Sequence, residues 1–435
     1  MKTSLFKGVF IGMFCLAAMI GLYVFATHTS NKVNNTNTVG TVLIWGTLPK
    51  DGMLSALTKI TETNTILKDV SYIQKDESTF PADLAAAIAT GNAPDLVLAS
   101  SEVIVPLRKL ISPISLATLP AATFSATFIG EGGLLATPEG TGYYGVPFLV
   151  DPLILFSNRA LLSSSGIVKP PTTWEALAGL VPGVLELTPT KQITRSLIAL
   201  GTYHNVRNAR GILSSLFLQV GLPISGYANG LLVAVLNGAS TDSISPGQAV
   251  LSFYTQFADP SKVSYTWNAS LGDSRQAFLN GDLALYPGYA SEARFLAVAN
   301  PNLDFLATPL PEPATAKLKS VYGLLYSFMI PLGAKNPDGA YQTAALLTNT
   351  VEQNISASAT GLAPASLDAL TVPPDNPVAS VAYAEALYAR GWLSPAPSAT
   401  DQVFSSIITG VTTGRSDIST MLVSGEGSLT SLLQK

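Results

Sequence analysis

Cysteine is almost missing from this 435-residue chain: the single one, Cys15, sits inside an apolar run near the N-terminus. Everything after it is therefore barred from disulfides, thiolate nucleophiles and cysteine-bearing metal sites. Cys15 itself reads as a small buried apolar residue. Histidine is nearly as scarce, with only His28 and His204. The patterns HExxH, GxxxxGK[ST] and GxSxG are all absent, which removes the usual zinc-hydrolase, phosphate-cradle and nucleophile-elbow chemistries. Charge is sparse too, at 12% of residues, and 24 basic against 28 acidic side chains leave no electrostatic footprint for nucleic acid. A glycosidase needs only two carboxylates, but no pair is flagged by the sequence, and Glu131 in Gly130-Glu131-Gly132-Gly133 reads as a loop tip. Neither a metal nor a cofactor is implied, and no internal repeat at a fixed period is visible.

What is present begins with topology. Lys2 and Lys7 precede residues 8–26, a run without charge. As a helix it would span about 28 Å, close to the hydrocarbon core of a bilayer. Basic residues on its N-terminal side place residues 1–7 in the cytoplasm and the remainder outside. The run is either an uncleaved single-pass anchor or a signal segment cut after Ala26. Residues 27–39, rich in Asn and Thr, then read as a flexible linker.

Order is expected from residue 40. Val42-Leu43-Ile44-Trp45-Gly46 reads as a buried first strand, followed by a helix over about 53–64 and a strand over 70–74. Residues 83–90 form a short helix stopped by Gly91, and Asn92-Ala93-Pro94-Asp95 turns into a strand at 96–99. Alternating helices and uninterrupted apolar strands point to α/β architecture, and the chain is long enough for two lobes. Residues 191–235 carry helical patterning broken by glycines. Asp273-Ser274 caps a helix ended by Asn280-Gly281, a strand follows at 283–286, and 321–331 is another apolar strand region. Helices are expected over 336–350, 379–389 and much of 403–433.

The densest signal is Gly142 to Leu177, GYYGVPFLVDPLILFSNRALLSSSGIVKPPTTWEAL. It contains a Gly-Val-Pro-Phe crossing, a buried strand, Asn158-Arg159, and a helix that Thr172 can cap while Glu175 reaches back. The order of parts resembles the extracellular solute-binding proteins of ATP-driven importers, at the segment where the chain passes from one lobe to the other. Ser157 stands where that family usually has Tyr, and Ala176 replaces its second acidic residue. Other motifs agree in order: Trp45-Gly46, LAAAIATGNAPDLV at 84–97, SRQAFLNGDLALYPGYASE at 274–292, Tyr322-Gly323 with Ile330-Pro331, and Lys335-Asn336-Pro337.

The resemblance implies a type II periplasmic-binding-protein-like fold: two α/β lobes, each a mostly parallel sheet flanked by helices, joined by three crossings and preceded by one N-terminal transmembrane helix. The lobes are then 40–148 with 290–328, and 149–289 with 329–435. It implies hinge positions at Phe148, Val150, Pro152, Pro287 and Gly288. It further implies a monomer that captures a small neutral solute, a sugar or oligosaccharide, and hands it to an ABC permease with its ATPases, without catalysis. The implied ligand groups are Trp45, Gly46 and Thr47 at the first strand end, and Ser100, Ser101 and Glu102 after the next. Asp151 at the crossing, Tyr289, Tyr322 and Tyr326 join them; separately, the polar loops around Trp267 and Trp392 make these two exposed-aromatic candidates, with lobe packing as the alternative. Trp174 is expected to pack its own helix. The alternatives are an extracellular glycan-active enzyme, or a surface sensor or adhesion protein on the same fold.

Overall fold

The computed structural model describes residues 38–239 and 244–435. The expected cytoplasmic end, the apolar run 8–26 and linker residues 27–37 lie outside the described residues. Among the described residues, no helix is long and apolar enough to cross a membrane.

Apolar strands and amphipathic helices alternate first: β1 (Val42–Gly46), α1 (Lys50–Thr63), β2 (Val70–Gln74), α2 (Phe80–Ala89) and β3 (Leu96–Ser100). β1 runs parallel to both β2 and β3. Gly91, with φ of +70°, lets the chain leave α2 in the left-handed conformation a side chain would resist. Asp95 then ties the layer together. One carboxylate oxygen accepts from the Leu43 N–H at 3.0 Å, and the other accepts from the N–H groups of Lys335 and Asn336 at 3.1 and 2.9 Å.

The spine of the molecule is β4 (Val146–Asn158), whose thirteen residues are all buried. Further on come α3 (Trp174–Val184), β5 (Ile193–Ile198), α4 (Ala209–Gln219), α5 (Ser274–Asn280), β6 (Leu283–Tyr289), β7 (Phe305–Thr308) and β8 (Val321–Met329). The chain ends through α6 (Pro337–Leu347), α7 (Thr350–Thr360), α8 (Pro397–Thr412) and α9 (Ile418–Leu433). One 11-stranded sheet runs β2-β1-β3-β8-β4-β6-β5, closing on Glu186–Leu187. The first part of β4, from Val146 to Pro152, pairs antiparallel with β8, and the part from Leu153 onward pairs antiparallel with β6 and β7. One strand therefore belongs to both halves of the sheet. Pro152, which has no N–H to give, falls where the pairing partner changes, a place where a missing donor is tolerated.

The expected mostly parallel sheets are corrected to a mixed sheet, because β8 and β4 run against their neighbours. The expected lobe boundaries shift as well. A crossing at Pro287–Tyr289 is ruled out by β7, which returns to pair with Leu155–Asn158 of the same half of β4. Gly288 is glycine for packing, since a Cβ there would lie 2.6 Å from Tyr286 and 3.0 Å from Phe156. The return to the first half is made by β8. Residues 337–360, expected in the second lobe, pack on the first, with α7 against α1 and α6 against β1 and β3. The chain goes back over 361–392, where Ala363–Pro364 pairs with β4 and Ala389–Arg390 with β8. α8 and α9 then pack on the second half.

Three local readings also change. Thr173 rather than Thr172 caps α3, accepting from the Ala176 N–H at 3.2 Å, and Glu175 accepts from the Ala314 N–H at 3.0 Å instead of closing a capping box. Residues 191–235 hold β5, α4 and a hairpin of Ile224–Ala228 with Leu231–Val235, not helix throughout. Glu131 is no loop tip: it is 2% exposed, and its carboxyl lies against Gly323 of β8 and against Gly391.

Candidate functional site

β3 delivers Glu102 to the junction between the halves, where it meets the first turn of α4. The Arg210 guanidinium donates from Nε to Glu102 Oε1 at 2.7 Å and from Nη2 to Oε2 at 2.8 Å, a bidentate pair. Arg210 Nη1 also donates to Asp401 Oδ2 on α8 at 2.6 Å and to the Pro397 carbonyl at 3.1 Å. The Tyr322 hydroxyl, on β8, donates to Glu102 Oε1 at 2.8 Å, and the Tyr203 hydroxyl donates to Asp401 Oδ1 at 2.5 Å. Burial alone would lower the Arg210 guanidinium, but the facing Glu102, Tyr322 and Asp401 hold it charged, well above its usual range. Burial and then the Glu102 charge push the Tyr322 phenol well up, so it stays a donor. This seam joins a residue of the first half to two elements of the second.

Beside it, the Ser100 hydroxyl donates to Glu77 at 2.5 Å, and burial raises the Glu77 carboxyl. Asp151 is buried on β4 and accepts from the Ser291 N–H at 3.0 Å and the Ser291 hydroxyl at 2.5 Å. Burial outweighs those bonds and lifts its carboxyl to about 7. Glu292 orients the approach to α4: it accepts from Asn208 Nδ2 and from the Tyr286 hydroxyl, both at 2.6 Å, and from the Tyr289 N–H at 3.0 Å.

A cavity of about 850 Å³ opens against α4 and α8, lined by residues that include Tyr203, His204, Arg207, Arg210, Tyr289 and Asp401. Gly211 makes room for the aromatic: a Cβ there would sit 2.7 Å from the Tyr289 hydroxyl. The Tyr289 phenol, raised well above its usual range mainly by burial, remains a neutral hydrogen-bonding group with an apolar ring.

Of the residues named from the sequence, Tyr289 lines this cavity directly, Glu102 and Tyr322 form the seam at its wall, and Ser100 acts through Glu77. Ser101 is buried next to Glu102. Tyr326 is half-buried on β8. Burial raises its phenol well up, and the nearby charges of Glu77, Asp151 and Glu102 add to this. Trp45, Gly46 and Thr47 do not line the cavity. Lys75 Nζ lies 3.8 Å from the centroid of the Trp45 ring, and a Cβ at Gly46 would meet Tyr72 at 2.6 Å.

The two loop tryptophans are not the exposed faces that their polar neighbours suggest. Trp267 and Trp392 are each 2% exposed. The Trp392 ring stacks on Phe404 at 6.2 Å, and its indole N–H donates to Ser214 at 3.1 Å, so it is core of the second half rather than a stacking face. Trp174 is buried as expected, its indole N–H donating to Gln219 at 2.7 Å. The proposed hinge residues Phe148 and Val150 are buried within β4, and Phe148 packs on Phe328 with centroids 4.5 Å apart. Sequence reasoning missed Glu77, Arg207, Arg210, Asp401 and Glu292. Among the described residues, no group of three His, Cys, Asp or Glu could hold a metal ion.

Solved structures share this architecture. A cyclo/maltodextrin-binding protein complexed with maltotetraose is 15% identical, with a TM-score of 0.73 over 94% of this chain and 99% of its own. The cyclic α-maltosyl-1,6-maltose binding protein of Arthrobacter globiformis is 15% identical, with a TM-score of 0.72 over 91% and 99%. The maltotriose binding protein of Thermus thermophilus is 15% identical, with a TM-score of 0.63 over 90% and 99%. At these identities the likeness establishes the two-lobed fold. No curated protein matches the chain by sequence. The family model of bacterial extracellular solute-binding proteins matches residues 56–385, most of the chain and every strand from β2 to β8, and the chain belongs to that family.

Proposed function

We propose that the chain captures a carbohydrate between its two halves, outside the cell, and hands it to an ABC permease. The observation that carries this reading is the seam. Glu102 of the first half accepts from Arg210 of the second, which also donates to Asp401, and Arg210 and Asp401 line a cavity large enough for several sugar rings. Tyr289 supplies a stacking face there, and neutral tyrosines supply hydroxyls, the mixture an uncharged sugar requires. The proteins of like fold are named for maltodextrins and related oligosaccharides, which favours the same class of ligand.

Closure is then a population shift. A ligand touching both halves stabilises the arrangement in which Glu102 and Arg210 meet, and bending falls on β4 near Pro152, on β8, and on 361–392. Micromolar capture corresponds to about 8 kcal/mol, tight enough to collect and loose enough to release. The apolar run 8–26 would tether the body to the membrane, or free it if cut after Ala26.

The test is a melting-temperature screen against an oligosaccharide panel, with the sugar assayed afterwards. Saturation at about 100 times Kd should stabilise the protein by about 2.7 kcal/mol. A stabilising sugar recovered unchanged, with the shift lost in Tyr289→Ala, supports capture. Consumption of the sugar would favour a glycan-active enzyme, and no stabilisation by any member would overturn the reading.

A further inference from the structure

The charges lining the cavity divide into two kinds. Its carboxylates are occupied within the protein. Asp401 accepts from Arg210 and Tyr203, and Asp273 caps α5 by accepting from the N–H groups of Arg275 and Gln276 at 2.9 and 3.1 Å. Of its cations, Arg210 is held by Glu102 and Asp401. Arg207 and Arg415 line the same cavity with no ion pair or side-chain hydrogen bond to any described residue. Exposed His204 stands with them, its Nε2 2.9 Å from the Ser405 hydroxyl. The start of α4 faces this cavity as well. Asn208 occupies its N-cap with φ of 61° and makes no capping bond; its side chain is turned so that Nδ2 donates to Glu292 and Tyr286 instead. That leaves the positive end of an 11-residue helix without a side-chain acceptor.

This distribution does not follow from composition. The chain carries nine arginines, an excess of acid over base, and few charges in all, yet three of the nine arginines line one cavity while no lysine does. Two solvated guanidiniums beside an uncapped helix start offer planar bidentate donors with no partner among the described residues.

We propose that Arg207 and Arg415 select glycans bearing an anionic substituent (a carboxylate, sulfate or phosphate on one sugar), which docks at the mouth while the neutral rings lie along Tyr289. This deepens the carbohydrate-capture reading and rests on it.

Calorimetric titration of the full-length protein in detergent separates the two. The probes are one glucose trisaccharide per linkage type in four forms: neutral, with a terminal glucuronic acid, 6-sulfated and 6-phosphorylated. At low salt at least one anionic form should bind about tenfold tighter than its neutral counterpart, a preference that shrinks as salt screens it. Arg207→Gln with Arg415→Gln should bring the ratio of anionic to neutral affinity close to one, while Arg207→Lys with Arg415→Lys, which keeps the charge but not the planar fork, retains only part of the preference. Unchanged melting temperatures would show that the variants fold. The three anionic arms report which substituent is taken. Equal affinity for neutral and anionic forms, or a preference that survives the double Gln variant, overturns the selection and leaves carbohydrate capture standing. No binding by any form overturns both.

Discussion

The seam and the mouth of the cavity lie a few residues apart in sequence, at Arg210 and Arg207, yet they are built in opposite ways. At the seam every charge is answered: Glu102 by Arg210 and Tyr322, and Asp401 by Arg210 and Tyr203. At the mouth Arg207 and Arg415 line the cavity with no ion pair or side-chain hydrogen bond to any described residue. A satisfied network fixes one arrangement of two halves, whereas unsatisfied exposed donors wait for a partner from solution. Under the proposals made above, the first region serves closure and the second selection.

The largest effect should come from breaking the seam. Glu102→Ala strips three donors of their acceptor and leaves Arg210 without its bidentate partner. Losing one member of a buried pair costs about 3–5 kcal/mol, so ligand affinity should fall by more than about 100-fold in a calorimetric titration. A variant binding as tightly as wild type would detach the seam from closure.

Next in size is a pH effect at the hinge side. Glu131 is buried against Gly323 and Gly391 with neither carboxylate oxygen hydrogen-bonded, and burial lifts its carboxyl from 4.5 to about 8 despite Arg390. The folded protein therefore holds this proton where the unfolded chain has lost it. Its stabilising contribution is complete below about pH 4.5 and disappears as pH rises through about 8. Asp151 acts in the same direction from 3.8 to about 7. The melting temperature should fall between pH 5 and 9, and Glu131→Gln should flatten that fall. An identical slope in the variant would mean that Glu131 does not hold its proton in the folded state.

Tyr289→Ala should weaken binding by about tenfold through the lost stacking face, without disturbing the seam. Trp267→Phe should change ligand affinity by less than about twofold, since the indole is buried and does not line the cavity. A large loss there would reinstate Trp267 as a ligand group.

Much of the frame was legible because it is written in local chemistry. The apolar strands, the Gly91 stop, the Asp273 cap and the Gly281 end, with φ of 83°, all sit where spacing put them. The hairpin within 191–235 was also written locally, in Asn229-Gly230, whose φ values of 51° and 78° are those of a tight hairpin turn, but the glycine-broken apolar pattern obscured it. The second and third crossings were misplaced because pairing partners are non-local: nothing near Pro287 reveals that Phe305–Thr308 returns to the same part of β4. Glu102, Tyr289 and Tyr322 were found through the family motifs that surround them. Arg210 and Asp401 were not, for in sequence each is one more surface charge, and their ion pair spans 191 residues. Trp267 and Trp392 misled because polar neighbours in sequence say little about what covers a side chain in space.

The most direct test of closure is an interlobe distance. The sequence after Cys15 holds no cysteine, so Leu54→Cys on α1 and Val423→Cys on α9, both exposed, can be labelled selectively once Cys15 is replaced by Ser. Adding a stabilising oligosaccharide should shift the fluorescence-transfer distribution to shorter distances, and Glu102→Ala should leave it long. Saturating sugar that leaves the wild-type distribution unmoved would contradict closure across the Glu102–Arg210 seam.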